Sequence, residues 1–422
     1  MLNANGEREL AYVVLIDGIE PIPGYDRVET AIVGGWHVIV QKDQFKVGDP
    51  AIYFEIDSKV PSTNPAFDFL EKRNYKVKTQ KYTFGGKGNF VSQGLLMHPS
   101  DFGWKIGCNW DAMNDENSDR ILVAVVDDKG NYHYLDDESR FVTKLLGVTY
   151  ADDEDNKRKA PSVDKYKKMA QRHPNIFKKP WARWLMKRDW GRKLMFMFFG
   201  KKKDKRGGWP SWVSKTDEER IENMPWILAD KSATWIATEK IDGSSTTFTM
   251  RKGKFGKLEF YVCSRNVCFD SVDKPCYYDT NIYWEMAQKY DMYNVLKAIM
   301  ELMPQLEWVI IQGETFGEGV QKNNYDMKCH DFMAFNLITS DKGRWNSNDM
   351  KFLLENHYHV PCVPILDSNY KMPDTVEELR AYVNGETSTI NQKMKEGVVF
   401  RSLDGVKSFK CVSPEYLLKF HS

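Results

Sequence analysis

ATEKIDGSSTTFTM, Ala237 to Met250, places the charged turn Glu239-Lys240-Ile241-Asp242-Gly243 between two apolar stretches. The residues on either side, Trp235–Thr238 and Thr246–Met250, are rich in Thr and in β-branched or aromatic residues and read as strands. Charged groups inside such a run need a reason, because burying a charge is costly. Asp242-Gly243 suggests a tight turn that presents Lys240. Farther along, LEFYVCSRN (Leu258–Asn266), WVIIQGE (Trp308–Glu314), DFMAFNLI (Asp331–Ile338) and EGVVFRS (Glu396–Ser402) also read as strands. Between them, apolar residues at Ile282, Met286, Tyr290, Leu296 and Ile299 predict a helix over Ile282–Met303. Glu314, Glu396 and Lys410, with Lys407 nearby, interrupt strand ends as Lys240 does, where side chains from several strands can converge on one cleft.

Those residue types suit one chemistry. A lysine beside other cations and partly desolvated has its pKa lowered and becomes a usable nucleophile. Carboxylates nearby can hold Mg²⁺ against phosphate oxygens. Further lysines and an arginine stabilise charge on a phosphoryl group in transfer. The bland readings stand beside this one: Glu314 and Glu396 as strand-edge charges, Phe335 as a core aromatic, Arg265 as a surface cross-strand partner. A lone KxDG is a weak signal.

The order of the motifs adds what spacing alone does not. Lys240-Ile241-Asp242-Gly243 resembles motif I of the covalent nucleotidyltransferases, the superfamily of polynucleotide ligases and mRNA capping enzymes. Ser264-Arg265-Asn266 resembles motif Ia, Gly313-Glu314 motif III, Phe335 motif IIIa, Glu396–Val399 motif IV and Ser408–Lys410 motif V. The resemblance implies that Lys240 takes AMP from ATP, with Lys410 and Arg265 as further catalytic groups. It implies a nucleotide site of Glu239, Lys240, Gly243, Arg265, Glu314, Phe335, Lys407 and Lys410. Asp242 and Glu396 would support Mg²⁺ or Mn²⁺. The family often carries alternating motif V lysines, whereas Lys407 and Lys410 are three apart, so Lys410 is the better match.

Upstream, Tyr12–Pro61 alternates short apolar runs with turn residues, and VSQGLLM (Val91–Met97) closes the set; a small OB-like β-barrel is the economical expectation. Ile19–Asp49 and PSWVSKTDEERIENMP (Pro210–Pro225) resemble the branch of ATP-dependent RNA ligases with an N-terminal OB module. The expected fold is therefore α+β: an OB-like barrel over 1–105, a linker over 106–208, and a nucleotidyltransferase domain of ATP-grasp-like antiparallel sheets with helices over 209–422. The expected activity joins 3′-hydroxyl and 5′-phosphate RNA ends or nicks; a DNA ligase, a capping-type guanylyltransferase and a non-catalytic OB-type nucleic-acid binder are the alternatives.

Residues 157–206 interleave cations with Trp181, Trp184, Trp190, Phe196, Phe198 and Phe199. They read either as a surface that tracks a nucleic-acid backbone or as helices docking an aromatic face on a domain. Lys plus Arg number 60 against 59 Asp plus Glu, so local patches matter more than the net charge of +1. The seven cysteines form no CxxC pair and predict neither a zinc site nor a disulfide framework. No run reaches the roughly 18–20 apolar residues of a membrane span. A monomer in the cytoplasm, the nucleus or a virus-infected cell is expected, with RNA or RNA/DNA ends and ATP as partners and no membrane.

Overall fold

Strand-like text upstream becomes strands. The computed structural model describes residues 1–3, 7–83, 90–103, 105–108, 123–126, 132–134, 140–151, 174–199, 209–265, 267–269 and 281–420. In the N-terminal module β1 (Ala11–Leu15), β2 (Gly18–Pro21), β3 (Val28–Val33), β4 (Trp36–Gln41) and β5 (Pro50–Phe54) are followed by β6 (Ser58–Lys59), β7 (Gln80–Tyr82), β8 (Phe90–Ser92) and β9 (Leu95–Met97). Two antiparallel three-stranded sheets, β1-β5-β9 and β2-β3-β4, curl round one core. Its centre holds Tyr12, Ala31, Trp36, Val38, Tyr53 and Leu96. The sheets are stitched by Gln93 N to His37 O at 2.9 Å and by Ile39 N to Ser92 Oγ at 3.0 Å. A separate small sheet carries β10 (Lys105–Cys108), β11 (Val123–Val126) and β12 (Tyr132–Tyr134), and β13 (Thr149–Tyr150) returns to pair with β6.

The basic-aromatic region yields α1 (Pro174–Phe177), α2 (Pro180–Met186) and α3 (Asp189–Phe199); residues 157–173 and 200–206 of it lie outside the described residues. Among the described residues these helices bury a small cluster of their own, centred on Ala182 and Met195. Trp181, Trp184 and Trp190 stay 49%, 51% and 55% exposed, so these three aromatics are not docked on a domain. The Arg188 guanidinium lies 3.8 Å above the Trp184 ring, an exposed cation–π pair.

Two antiparallel sheets build the C-terminal part. The smaller runs β21 (Ile365–Tyr370), β14 (Trp235–Lys240), β22 (Gly397–Ser402), β23 (Ser408–Val412). The larger runs β17 (Cys268–Phe269), β16 (Leu258–Ser264), β15 (Ser244–Lys252), β18 (Trp308–Phe316), β19 (Asp331–Thr339), β20 (Gly343–Arg344). Helices α4 (Ile282–Lys289), α5 (Met292–Leu302) and α6 (Ser347–Tyr358) cover the larger sheet, burying Met286, Leu296, Ile299 and Leu354 with Phe248 and Met250. Each such large apolar side chain contributes about 1.5–3 kcal/mol. Helix α7 (Val376–Val383) packs Leu379 and Val383 on Trp235, Phe400 and Phe409 of the smaller sheet. The single helix expected over Ile282–Met303 is two, because Asp291 adopts left-handed backbone at φ 48° and breaks the run. Helix α8 (Pro414–Phe420) follows β23 directly.

The N-terminal module is locked to the rest by buried polar contacts. Glu222, 2% exposed, takes two bonds from Arg380, which also reaches Gly35 O and Gln93 Oε1. A side chain at position 35 would meet Glu222 Cα at 2.7 Å, so only glycine permits this approach. Asn223 accepts from Trp36 Nε1 at 2.7 Å and donates to Glu55 at 2.8 Å. Among the described residues no helix is long and apolar enough to cross a membrane.

Candidate active site

The chain passes from the smaller sheet to the larger through Ile241-Asp242-Gly243, so Lys240 stands at the last position of β14, opposite Gly397 of β22. Its amine donates to Glu396 Oε1 at 2.6 Å, with side chains 24% and 12% exposed. Ser245, at the start of β15, pairs with Glu314 on β18, which brings a second carboxylate to the same cleft. Gly243 makes that possible: a Cβ there would meet Thr315 O at 2.4 Å and Glu314 Cγ at 3.0 Å. The Asp242 amide donates to Tyr325 Oη at 2.8 Å. Its carboxylate accepts from Asn324 Nδ2 at 2.6 Å and from Tyr416 Oη of α8 at 2.8 Å. Glu239 points elsewhere by strand alternation; its buried carboxylate is held by Ser388 and by Thr389 N and Oγ1.

Cations gather on the far wall. Lys410, opposite Val399 in the β22–β23 pair, donates to Asp217 Oδ1 at 2.7 Å. Asp217 also takes Arg8 Nε and Arg265 at 3.1 Å each. The next residue, Glu218, accepts from Arg401 at 3.0 Å and lies 3.6 Å from Arg344. Arg401 in turn sits 5.9 Å from the Phe335 ring centre. Phe335 is half-buried beside Ile241, Phe316, Tyr325 and Val363. The segment carrying these acids runs along β23, with Lys410 N bonded to Glu219 O at 2.7 Å.

Electrostatics corrects one expectation. Burial alone would lower the Lys240 pKa, but Glu396 and Glu314 outweigh it and raise it, so the amine is held protonated. The expected cations do not act on it strongly because Asp217 takes up Lys410 and Arg265. The lowered lysine is Lys410, pushed down to about 8 by burial and then by Arg8. Glu314 is pushed up to about 8, first by burial, with Lys240 opposing and Glu396 and Asp242 adding to the rise. Asp217 sits well below the usual carboxylate range: burial opposes this, and Lys410 and Arg8 override it.

Lys240, Asp242, Glu314, Glu396, Arg265 and Lys410 are thus brought to one cleft, with Phe335 on its border. Lys407 is a correction. Its amine bonds Asp230 at 2.9 Å, and it sits next to β23 at the end opposite Lys240, because the β22–β23 turn carries it away. Arg8, Asp217, Glu218 and Arg401 belong to the site without having been assigned roles from sequence. The acidic triplet in KTDEER was the one local signal, but its partners lie far along the chain. Asp242, Glu314 and Glu396 are hard oxygen donors of the kind Mg²⁺ and Mn²⁺ take. Among the described residues no three acidic, His or Cys side chains converge as a ready-made ion site, so Asp242 and Glu396 would hold a cation only with further oxygen donors.

Residues 233–419 match the family profile described as RNA ligase, and residues 10–98 match an OB-fold domain. Residues 233–419 belong to the RNA ligase family. The ligase domain and its N-terminal module together are similar to the Naegleria gruberi RNA ligase with PPi, at 26% identity and a TM-score of 0.67, over 98% of this chain and 99% of that one. A lysine-to-alanine variant of that ligase with ATP and Mn gives 26% and 0.66, over 98% of each chain. A glutamate-to-alanine variant with AMP and Mn gives 26% and 0.65, over 98% and 99%. No curated protein matches the chain in sequence. The chain thus carries a ligase domain of the RNA ligase family with an OB-fold module ahead of it, and over nearly its whole length it is similar to an RNA ligase, an enzyme.

Proposed function

We propose that this RNA ligase uses ATP and a divalent cation, and that Lys240 carries the AMP. The observation that bears this reading is the Lys240 amine, 2.6 Å from Glu396, in a cleft with Glu314 on one side and the Lys410–Arg265 cations on the other. In the first step Lys240 Nζ attacks the α-phosphorus of ATP; the N–P bond forms, the bond to the departing oxygen breaks and pyrophosphate leaves. Glu396 is in contact to accept the amine proton. Lys410 and Arg265 are placed to meet phosphate oxygens, and Phe335 offers a ring face for adenine. Asp242 and Glu396 would hold a divalent cation, which when bound would supply positive charge against those phosphate oxygens.

An oxygen of the RNA 5′-phosphate next attacks the lysyl-bound phosphorus, the P–N bond breaks, and Lys240 recovers its proton. The 3′-hydroxyl then attacks the 5′-phosphate, forming the phosphodiester and releasing AMP. We assign the OB module to 1–105, the linker to 106–208 and the catalytic domain to 209–422, and take the chain to act as a monomer on RNA or RNA/DNA ends and nicks. Matched nicks in RNA and DNA, with labelled ATP or GTP, test this. Sealing with an RNA strand and label from ATP alone is expected; label from GTP, or sealing of DNA only, overturns it.

A further inference from the structure

Asp217 stands between Lys410 and Arg265, the two cations assigned to the phosphates of ATP, and the fold holds it from three sides. Ser214 O accepts from Gln312 Nε2 of β18 at 2.8 Å, and Thr216 Oγ1 lies 2.5 Å from Ser245 Oγ of β15. Glu219 O accepts from Lys410 N of β23 at 2.7 Å. The larger sheet thus fixes the backbone just before Asp217, and the smaller sheet fixes it just after. The third hold comes from the N-terminal module, where Arg8 Nε donates to Asp217 Oδ2 at 3.1 Å. Arg8 is itself fixed: its side chain is 5% exposed and bonds Glu55 Oε2 at 3.1 Å and Glu218 O at 3.2 Å.

What this immobile carboxylate offers to the cleft is a pair of acceptors. Oδ1 takes Lys410 Nζ at 2.7 Å, and Oδ2 takes Arg265 at 3.1 Å beside Arg8. Lysine and arginine side chains each lose up to about 1.5–2 kcal/mol of rotamer freedom when fixed. The Arg265 side chain is 49% exposed and is directed by Asp217 and by the Tyr150 ring, 5.7 Å away. We propose that Asp217 is a positioning residue for adenylyl transfer: held by both sheets and by Arg8, it aims Lys410 and Arg265 at the nucleotide phosphates before ATP arrives. This rests on the assignment of those two cations to phosphate oxygens and adds what holds them ready. Charge works in the same direction as geometry. Lys410 faces Arg8, Arg220 and Lys240 as well as Asp217; burial and then Arg8 lower its pKa, and Asp217 opposes them. Without the Asp217 charge, Lys410 would lose its proton at lower pH.

The test follows lysyl-AMP formation by the full chain against ATP concentration, with the pH varied on both sides of 8. In the unaltered protein KM should climb as pH passes about 8. Asp217→Asn keeps the shape and removes the charge, and should move that climb down by about one pH unit or more. At pH 8 the charged fraction of Lys410 then falls from about half to about a tenth, and KM rises about fivefold. Asp217→Asn/Lys410→Arg should lose the pH dependence, because a guanidinium stays charged throughout. Asp217→Glu restores the charge one methylene too far forward; the climb should return to about pH 8 with KM still raised several-fold. A purely structural role for Asp217 would leave the pH of the climb where it is. A climb in Asp217→Asn at the parent's pH overturns the proposal. If that variant has no cooperative unfolding transition, Asp217→Glu decides, and a KM equal to the parent's overturns the proposal. A parent KM that stays flat across pH 8 overturns the assignment of Lys410 to the phosphates, and the proposal falls with it.

Discussion

Glu314 gives the sharpest check on the electrostatics. Its folded pKa is about 8, raised mainly by burial, against an ordinary 4.5. A carboxyl whose pKa is raised on folding binds more protons folded than unfolded between those values, so its contribution to stability falls as pH rises through that window. The full difference corresponds to about 5 kcal/mol by pH 9. Glu314 is only partly buried, and solvent screening reduces that to about 1–3 kcal/mol. Glu314→Gln removes the titration while keeping the shape. It should therefore gain stability over the parent between pH 5 and pH 9, reaching about 1–3 kcal/mol, or several degrees in Tm. Thermal unfolding of both proteins at the two pH values measures it. An advantage that is constant with pH, or that shrinks toward pH 9, would refute the claim that Glu314 holds its proton beside Lys240.

Two further outcomes are expected. Glu55, 1% exposed, accepts from the N-terminal amine, from Arg8 at 3.1 Å and from Asn223 at 2.8 Å; Glu55→Ala takes the carboxylate from the buried amine and leaves Arg8 to Asp217, and should cost about 3–5 kcal/mol in urea unfolding, and a loss under 1 kcal/mol would contradict the buried network. Lys410 loses its charge with a pKa of about 8, so the KM for ATP in lysyl-AMP formation should rise as pH passes 8. Lys410→Arg stays charged throughout, and its KM should stay flat from pH 7 to 9.5; parallel profiles for the two proteins would remove Lys410 from phosphate binding.

The catalytic strands were legible because they carry their signal locally. WVIIQGE, DFMAFNLI and EGVVFRS are short apolar runs ending in a charge, and they became β18, β19 and β22. Lys240 was readable for the same reason, since a charged turn between two apolar strands is costly to bury unless it faces a cleft. What failed to show was non-local. Asp217 and Glu218 earn their place only once β23 lies beside them, and Arg8 reaches them from the other module. The lysine expected to be acidified was the wrong one, because linear order cannot show that Asp217 collects the cations while Glu396 and Glu314 face Lys240. Asp291 also looked like an ordinary helical position; its left-handed backbone appears only when α4 and α5 have to turn on the sheet. The interleaved aromatics of the basic region named no partner by themselves, and the structure leaves three of its tryptophans half exposed.

Incubation with ATP and Mg²⁺, followed by intact-mass measurement and peptide mapping, asks which amine takes the nucleotide. One AMP per chain, on the peptide containing Lys240 and absent from Lys240→Ala, is the expected result. Adduct on Lys410 or any other lysine, or undiminished labelling of Lys240→Ala, would contradict the account.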